Sequence, residues 1–357
     1  MLPQESAIAL ARPALDQIIQ DKSRSEEIME KVATRTMKLR VEQLCRLWAG
    51  MGSVYKISVG NVAEFVVKHV TPPMPAEQSF GDRRKSKSYQ VEANFYQHVA
   101  TEMTNKSPSC LLMPTPYKVE YGPKPDEMTI CMAYLQGSCI NIGSKKDLLG
   151  TLKWLAHFHA VYWGASAIDE LVERVGLQEI GSYWHLDTRP DEHAGMIKRG
   201  LQGRLKRAAK ALDSCLKRDP MQCLIHGDPK EANVMKLNNG NIAMYDFQYC
   251  GKGTPTRDVA YFLCSSCDEN WEGELVEFYF QHLTERLVLQ GVTPPTFEHF
   301  EQSLLLAFCD FYRFLCGWGQ WGYDLQDRVS SLLKSLDNGK DLGSDEAYDA
   351  AIRNKFW

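Results

Sequence analysis

The stretch Leu224-Ile225-His226-Gly227-Asp228-Pro229-Lys230-Glu231-Ala232-Asn233-Val234-Met235 is followed closely by Ile242-Ala243-Met244-Tyr245-Asp246-Phe247-Gln248. An apolar run opens onto a polar loop at His226, and a second apolar run ends in Asp-Phe. Asp, Asn, Gly and Pro also populate ordinary turns for backbone reasons. Four fixed letters in the pattern H-G-D-x-x-x-x-N, followed by Asp-Phe, are far more specific than turn chemistry requires. A short hairpin between Asn233 and Asp246 would bring both side chains to one point. Phosphoryl transfer from ATP needs a carboxylate that orients the acceptor hydroxyl and takes its proton, together with oxygen ligands for Mg²⁺. Asp228 suits the first task. Asn233 and Asp246 suit the second, since Mg²⁺ favours carboxylate and amide oxygens alongside phosphate oxygens.

The 357 residues around this island are 44% hydrophobic and 24% charged, with a formal net charge of -4. That composition is globular, with enough chain for one large or two ordinary domains. The negative balance argues against nucleic acid as a partner, and the basic run Arg83, Arg84, Lys85 and Lys87 reads as a solvated face. No segment approaches the ~20 consecutive apolar residues of a membrane span. The N-terminus, MLPQESAIALARPALDQ, has no basic region and no cleavage pattern, so no secretory signal is expected. Eleven scattered cysteines in so large a chain fit free thiols and a reducing, cytoplasmic setting. The sequon at Asn105-Lys106-Ser107 carries little weight there.

Apolar spacing predicts one or two helices over 14–37 and short strands between Leu39 and Val70. A helix is expected around Tyr89–Met103, with strands near Tyr117–Tyr121 and Met128–Leu135. Beyond Gly137 the pattern is mostly helical, at 145–163, 196–218, 257–266, 271–290, 297–318 and 324–336. The β-rich island Gln222–Phe247 interrupts it. The expected class is α+β, with a β-rich lobe at 1–135 and a larger helical lobe at 136–357.

The catalytic island resembles the aminoglycoside phosphotransferase and choline kinase superfamily, which uses H-G-D where protein kinases use H-R-D. Asp246-Phe247-Gln248, with Thr256-Arg257-Asp258-Val259-Ala260-Tyr261-Phe262-Leu263 downstream, is most similar to its ecdysteroid-kinase-like (CHK kinase-like) branch. The resemblance implies a protein-kinase-like bilobal fold, Asp228 as base, Asn233 and Asp246 at the metal, and Asp258 as a carboxylate bracing the catalytic loop. Such a fold also requires a glycine turn, a strand lysine and a helix glutamate, in that order. Gly50-Met51-Gly52-Ser53, Lys68 and Glu92 meet the requirement in order and spacing. Each alone would pass for a turn or a solvated charge. Tyr55 stands where protein kinases carry a third glycine. The hinge that would hold adenine is expected at Met132, Ala133, Tyr134 and Leu135.

Other matches are discounted. Gly317-Trp318-Gly319-Gln320-Trp321-Gly322 fits G-x-G-x-x-G but follows a helical pattern, so no dinucleotide site is expected. Cys264-Ser265-Ser266-Cys267 is a lone C-x-x-C and reads as buried thiols. His157 and His159 read as packing and hydrogen-bonding groups rather than metal ligands. No P-loop, H-E-x-x-H or G-x-S-x-G occurs.

Trp318 and Trp321 sit three apart, and on a helix they would share a face. Choline kinases carry a similar Trp-Gly-x-Trp near the choline pocket. Aromatic faces attract ammonium groups, with Asp310 available as a counter-charge. The stripe reads equally as helix core. The expected function is ATP- and Mg²⁺-dependent transfer of the γ-phosphate to a hydroxyl of a small molecule. The alternatives are a nucleotide-binding pseudokinase scaffold and a protein kinase. The short interval 247–257 leaves no long peptide-docking segment, which weighs against the latter. The acceptor and the oligomeric state stay open.

Overall fold

The computed structural model describes residues 4–107 and 110–356. Met1–Pro3, the start of the stretch inspected for a signal, lies outside the described residues. The chain divides into two compact units, Met1–Lys106 with Met113–Gln136, and Ser107–Leu112 with Gly137–Trp357.

The first unit opens with helices α1 (Gln4–Ile19) and α2 (Lys22–Ala33), the latter capped by the Asp21 side chain, which accepts the Arg24 N–H. Helix α1 begins well before residue 14, with Pro13 inside it. Strands β1 (Leu39–Arg46), β2 (Gly52–Val59), β3 (Ala63–Val70), β4 (Pro116–Tyr121) and β5 (Met128–Ala133) form one antiparallel sheet in the order β1-β2-β3-β5-β4. Ala11, Ala14 and Leu15 of α1 and Ile28, Met29 and Val32 of α2 recur at helical spacing. They share a core with Tyr55 and Ile57 of β2 and with Ala63, Phe65 and Val67 of β3. Because side chains alternate along a strand, Lys68 is directed away from that core.

Helix α3 (Phe80–His98) starts with a capping box in which Ser79 and Asp82 exchange hydrogen bonds. These caps are worth about 1 kcal/mol and start the helix earlier than the apolar pattern predicts. Helix α4 (Ala100–Lys106) continues after a break at Val99.

The second unit is helical around two small sheets. Strands β6 (Gly137–Cys139), β8 (Val234–Leu237) and β9 (Ile242–Met244) form one; β7 (Cys223–Ile225) and β10 (Gly251–Gly253) form the other. Its helices are α5 (Lys145–Val161), α6 (Ala165–Val175), α7 (Pro190–Gly195), α8 (Gly200–Arg218), α9 (Pro255–Ser266), α10 (Glu272–Leu289), α11 (Phe297–Trp318), α12 (Gln326–Asp337) and α13 (Asp345–Phe356). The apolar pattern does not anticipate α6, α7 or α13, nor the three-residue strands β6 and β10. Helix α11 packs against α7, α8 and α9. Among the described residues no helix is long and apolar enough to cross a membrane. All eleven cysteines are free, and burial pushes the thiols of Cys264 and Cys267 up to about 12.

Candidate active site

In the second unit, β7 delivers the chain to His226 and the β8–β9 hairpin returns it to Asp246. The pairing Val234↔Met244 and the Tyr245 N–H donating to the Asn233 carbonyl at 3.1 Å set Asn233 beside the end of β9. Asp246 holds φ at 68°, a left-handed conformation that Asp tolerates better than most residues. Gly227 has φ of +82°, and a Cβ there would lie 2.2 Å from the Tyr249 carbonyl oxygen. Only glycine fits that turn.

Asp258, on α9, fastens the loop from behind. His226 N–H donates to its Oδ2 at 2.7 Å and Gly227 N–H to its Oδ1 at 2.9 Å. His159 Nε2 lies 3.1 Å from Oδ2, while His159 Nδ1 contacts the Tyr279 hydroxyl at 2.7 Å. His159 is thus a buried hydrogen-bonding link. His226 accepts the Asp228 N–H at Nδ1 (3.3 Å) and meets the Tyr245 carbonyl with Nε2 at 3.1 Å. One nitrogen accepts and the other donates, so the ring is neutral, and burial holds its pKa below the ordinary value.

Asp228 is buried. Its Oδ2 accepts from Lys230 Nζ at 2.9 Å and from Asn233 Nδ2 at 3.1 Å. Its Oδ1 is buried and makes no hydrogen bond of full geometry among the described residues, though the Tyr261 hydroxyl faces the carboxylate. Burial, helped by the nearby charge of Asp246, raises the carboxyl to about 6 against the opposing pull of Lys230. For Lys230 burial works against the charge, but Asp228 and Asp246 hold its pKa above the ordinary value. Gln248 Nε2 donates to Asp246 Oδ1 at 2.5 Å.

The residues suit a divalent cation. Asn233 turns its amide nitrogen toward Asp228, which leaves its oxygen on the other side, and Asp246 adds a carboxylate close enough to perturb Asp228. One amide and one carboxylate are the hard oxygen donors that Mg²⁺ takes when phosphates complete its shell.

In the first unit, Lys68 Nζ donates to Glu92 Oε2 at 2.5 Å, both side chains being buried, and lies 5.2 Å from the centre of the Tyr89 ring. Gly50 (φ +70°) and Gly52 (φ +129°) form the turn into β2, with Ser53 already paired into the sheet opposite His69. A Cβ on Gly52 would meet the His69 carbonyl oxygen at 2.0 Å. Met132 lies inside β5, opposite Val66 and Pro116, and the Ala133 N–H is taken by the Thr115 carbonyl at 2.8 Å. Tyr134, whose ring lies 3.9 Å from Lys56 Nζ, and Leu135 follow the strand. The part of the expected hinge lying beyond the sheet is therefore Tyr134–Leu135.

Residues 151–291 match the phosphotransferase enzyme family (APH). No curated protein matches the chain. Among solved structures it is similar to the amicoumacin kinase hAmiN in complex with AMP-PNP, Ca²⁺ and Ami, at 12% identity and TM-score 0.50, over 92% of each chain. A microcompartment-associated aminopropanol kinase aligns at 14% identity and TM-score 0.49, covering 88% of this chain and 90% of the other. The choline kinase LicA from Streptococcus pneumoniae aligns at 13% and 0.47, over 87% and 98%. The fold is kinase-like: a small antiparallel sheet lobe and a helical lobe.

Two expectations for the acceptor region need correction. Helix α11 ends at Trp318, and Gly319 turns away at φ +134°, so Trp318 and Trp321 do not share a helix face. Trp318 meets Tyr183 and Phe314, whereas Trp321 meets Tyr261 and Phe311. Asp310 is fully buried; Arg313 Nε lies 2.7 Å from its Oδ1 and Arg257 Nη1 3.7 Å from its Oδ2. Two guanidinium groups face its charge within the core, although Oδ2 has no hydrogen-bond partner among the described residues. Lys230 and Arg189 were missed from the sequence. Lys230 occupies a variable position of the motif, and Arg189 is placed by tertiary packing alone.

Proposed function

We propose that this chain is an ATP- and Mg²⁺-dependent small-molecule kinase that transfers the γ-phosphate to an acceptor hydroxyl. The observation that carries the reading is the half-satisfied Asp228 carboxylate. One oxygen is held by Lys230 and Asn233, and the other is buried with no hydrogen bond of full geometry among the described residues, within a stretch similar to a phosphotransferase family. Oδ1 is suited to receive the acceptor's proton as the acceptor oxygen bonds to the γ-phosphorus and the bond to the ADP oxygen breaks. A buried carboxylate with one oxygen free of Lys230 and Asn233 is placed for that task. Lys230 holds Asp228 in its ionised geometry and adds positive charge where the phosphoryl group would pass. Asn233 and Asp246 would hold Mg²⁺, which neutralises phosphate charge when bound. Asp258 and His159 keep the loop rigid, so most of the rate gain comes from positioning.

In the first unit, Lys68, held by Glu92, would take the α- and β-phosphates, with the Gly50–Ser53 turn over them and Tyr134–Leu135 facing adenine. AMP-PNP and a divalent cation in the amicoumacin kinase structure support this choice of nucleotide. Asp246-Phe247-Gln248 and Thr256–Leu263 support placement in the ecdysteroid-kinase-like branch, and the free cysteines support the cytoplasm.

The test is Mg²⁺-dependent transfer of labelled γ-phosphate into a small-molecule extract, with Asp228→Asn as control. Label in a metabolite fraction that disappears in the variant supports the reading. ATP binding without transfer would favour a nucleotide-binding scaffold instead.

A further inference from the structure

The aromatic box of the acceptor region is already filled by a cation of the chain itself. The Arg189 guanidinium lies 3.8 Å from the centre of the Tyr183 ring, 5.0 Å from Trp318 and 5.6 Å from Phe314. The rings also pack on one another, Phe314 stacking on Trp318 at 5.6 Å and Tyr183 meeting Trp318 edge-on at 6.1 Å. Ring faces of this kind hold an ammonium group through their quadrupole. Here Arg189 occupies them, which leaves an amino alcohol no empty box.

Arg189 is only partly satisfied. Nε donates to the Tyr183 carbonyl at 3.0 Å and Nη1 to Glu192 Oε1 at 3.3 Å. Nη2 is buried with no hydrogen-bond partner among the described residues, on a side chain that is 1% exposed. Of the three rings, Trp318 is half-exposed (51%), the last residue of α11, and followed by Gly319 in open space. Buried donors in folded proteins are almost always paired, so an orphan guanidinium nitrogen beside a half-exposed ring points to a ligand atom.

Tyr183 connects this arginine to the catalytic loop. Its N–H donates to the Gly227 carbonyl at 2.8 Å, and its ring lies 6.0 Å from Lys230 Nζ. Arg189 and Lys230, the latter in contact with Asp228 Oδ2, therefore flank the same aromatic residue.

We propose that the acceptor is an alcohol bearing an oxyanion, such as a carboxylate, which Arg189 binds through Nη2 once the Trp318 indole swings aside. This rests on the small-molecule kinase reading and specifies its substrate class. The planar guanidinium is suited to a carboxylate in a dry, ring-lined site.

The test separates a metabolite extract by ion exchange before reaction, into anionic, neutral and cationic fractions. Each fraction is incubated with γ-labelled ATP, Mg²⁺ and the full chain. Label is expected in the anionic fraction, with the acceptor then purified for kinetics. Arg189→Met should raise the acceptor KM at least tenfold with the ATP KM unchanged. Because replacing a buried arginine can cost the fold, Trp318→Ala asks the same question from an exposed position. It should move the acceptor KM and leave the ATP KM in place. Transfer confined to the cationic or neutral fraction overturns the oxyanion proposal while the kinase reading stands. An acceptor KM unmoved in both variants does the same. Absence of transfer in every fraction overturns the kinase reading and this proposal with it.

Discussion

Lys230 Nζ sits 2.9 Å from Asp228 Oδ2, the same oxygen that Asn233 Nδ2 approaches at 3.1 Å, so one carboxylate oxygen gathers both contacts. If Oδ1 is the proton acceptor, the two residues should separate kinetically. Asp228→Asn should lower kcat by about 10²–10⁴-fold, the usual span for losing a general base. Lys230→Met should lower it by about 10²-fold, as for loss of one preorganised charge. Both should bind ATP normally by titration calorimetry; weakened ATP binding in either would relocate its role.

Asp258 accepts two backbone N–H groups and faces His159, all buried. Hydrogen bonds to a charged group contribute about 1.5–3 kcal/mol each. Asp258→Ala should therefore destabilise the second unit by at least about 3 kcal/mol, visible as a drop in Tm. Transfer activity should fall further than the folded fraction does, because the loop loses its support.

The Lys68–Glu92 pair should behave asymmetrically from surface ion pairs. Removing one partner of a buried pair costs about 3–5 kcal/mol because the other charge is stranded. Glu92→Gln is expected to lower Tm and weaken ATP binding. By contrast, Lys31→Ala, which breaks the exposed contact to Glu27, should leave Tm almost unchanged. Equal effects in differential scanning fluorimetry would contradict the assignment.

A fourth prediction concerns pH. Asp337 accepts from Arg204 Nε at 2.7 Å and Nη2 at 2.6 Å, from the Tyr348 hydroxyl at 2.7 Å and from Gly339 N–H at 2.8 Å. Burial works against its charge, yet these contacts hold its pKa below the usual carboxylate range. A depressed folded pKa gives stability that is present above the unfolded pKa of about 3.9 and lost as pH falls through the folded value. Asp337→Asn should lower stability by about 2 kcal/mol at pH 7. The gap to the native chain in urea unfolding should close below about pH 4.

The parts that could be read in the sequence are those whose signal is local. Strand β3 alternates Ala63, Phe65 and Val67 against its other face, and the H-G-D loop needs fixed letters because Gly227 allows no Cβ and Asp228 must emerge beside it. The helix start at Phe80 was hidden because a capping box, not an apolar stripe, determines it. Arg189 was invisible because nothing near it in the chain announces it: Phe314 and Trp318 reach it from α11 by folding alone. The Trp318/Trp321 pairing failed for a local reason after all, since Gly319 ends the helix between them.

The ring stack behind Asp246 has a consequence for regulation. Phe247 is fully buried, 4.8 Å from the His226 ring and 5.9 Å from Phe158, which stacks in turn on Trp154 at 4.9 Å. Swinging Phe247 outward would expose a large ring and open a void among three others, a cost of about 3–5 kcal/mol. With Asp246 tied to so costly a neighbour, the aspartate has one address. If Asp246 holds the metal as proposed, this packing leaves no low-cost off position there, and output would follow the supply of acceptor and nucleotide rather than a toggled loop.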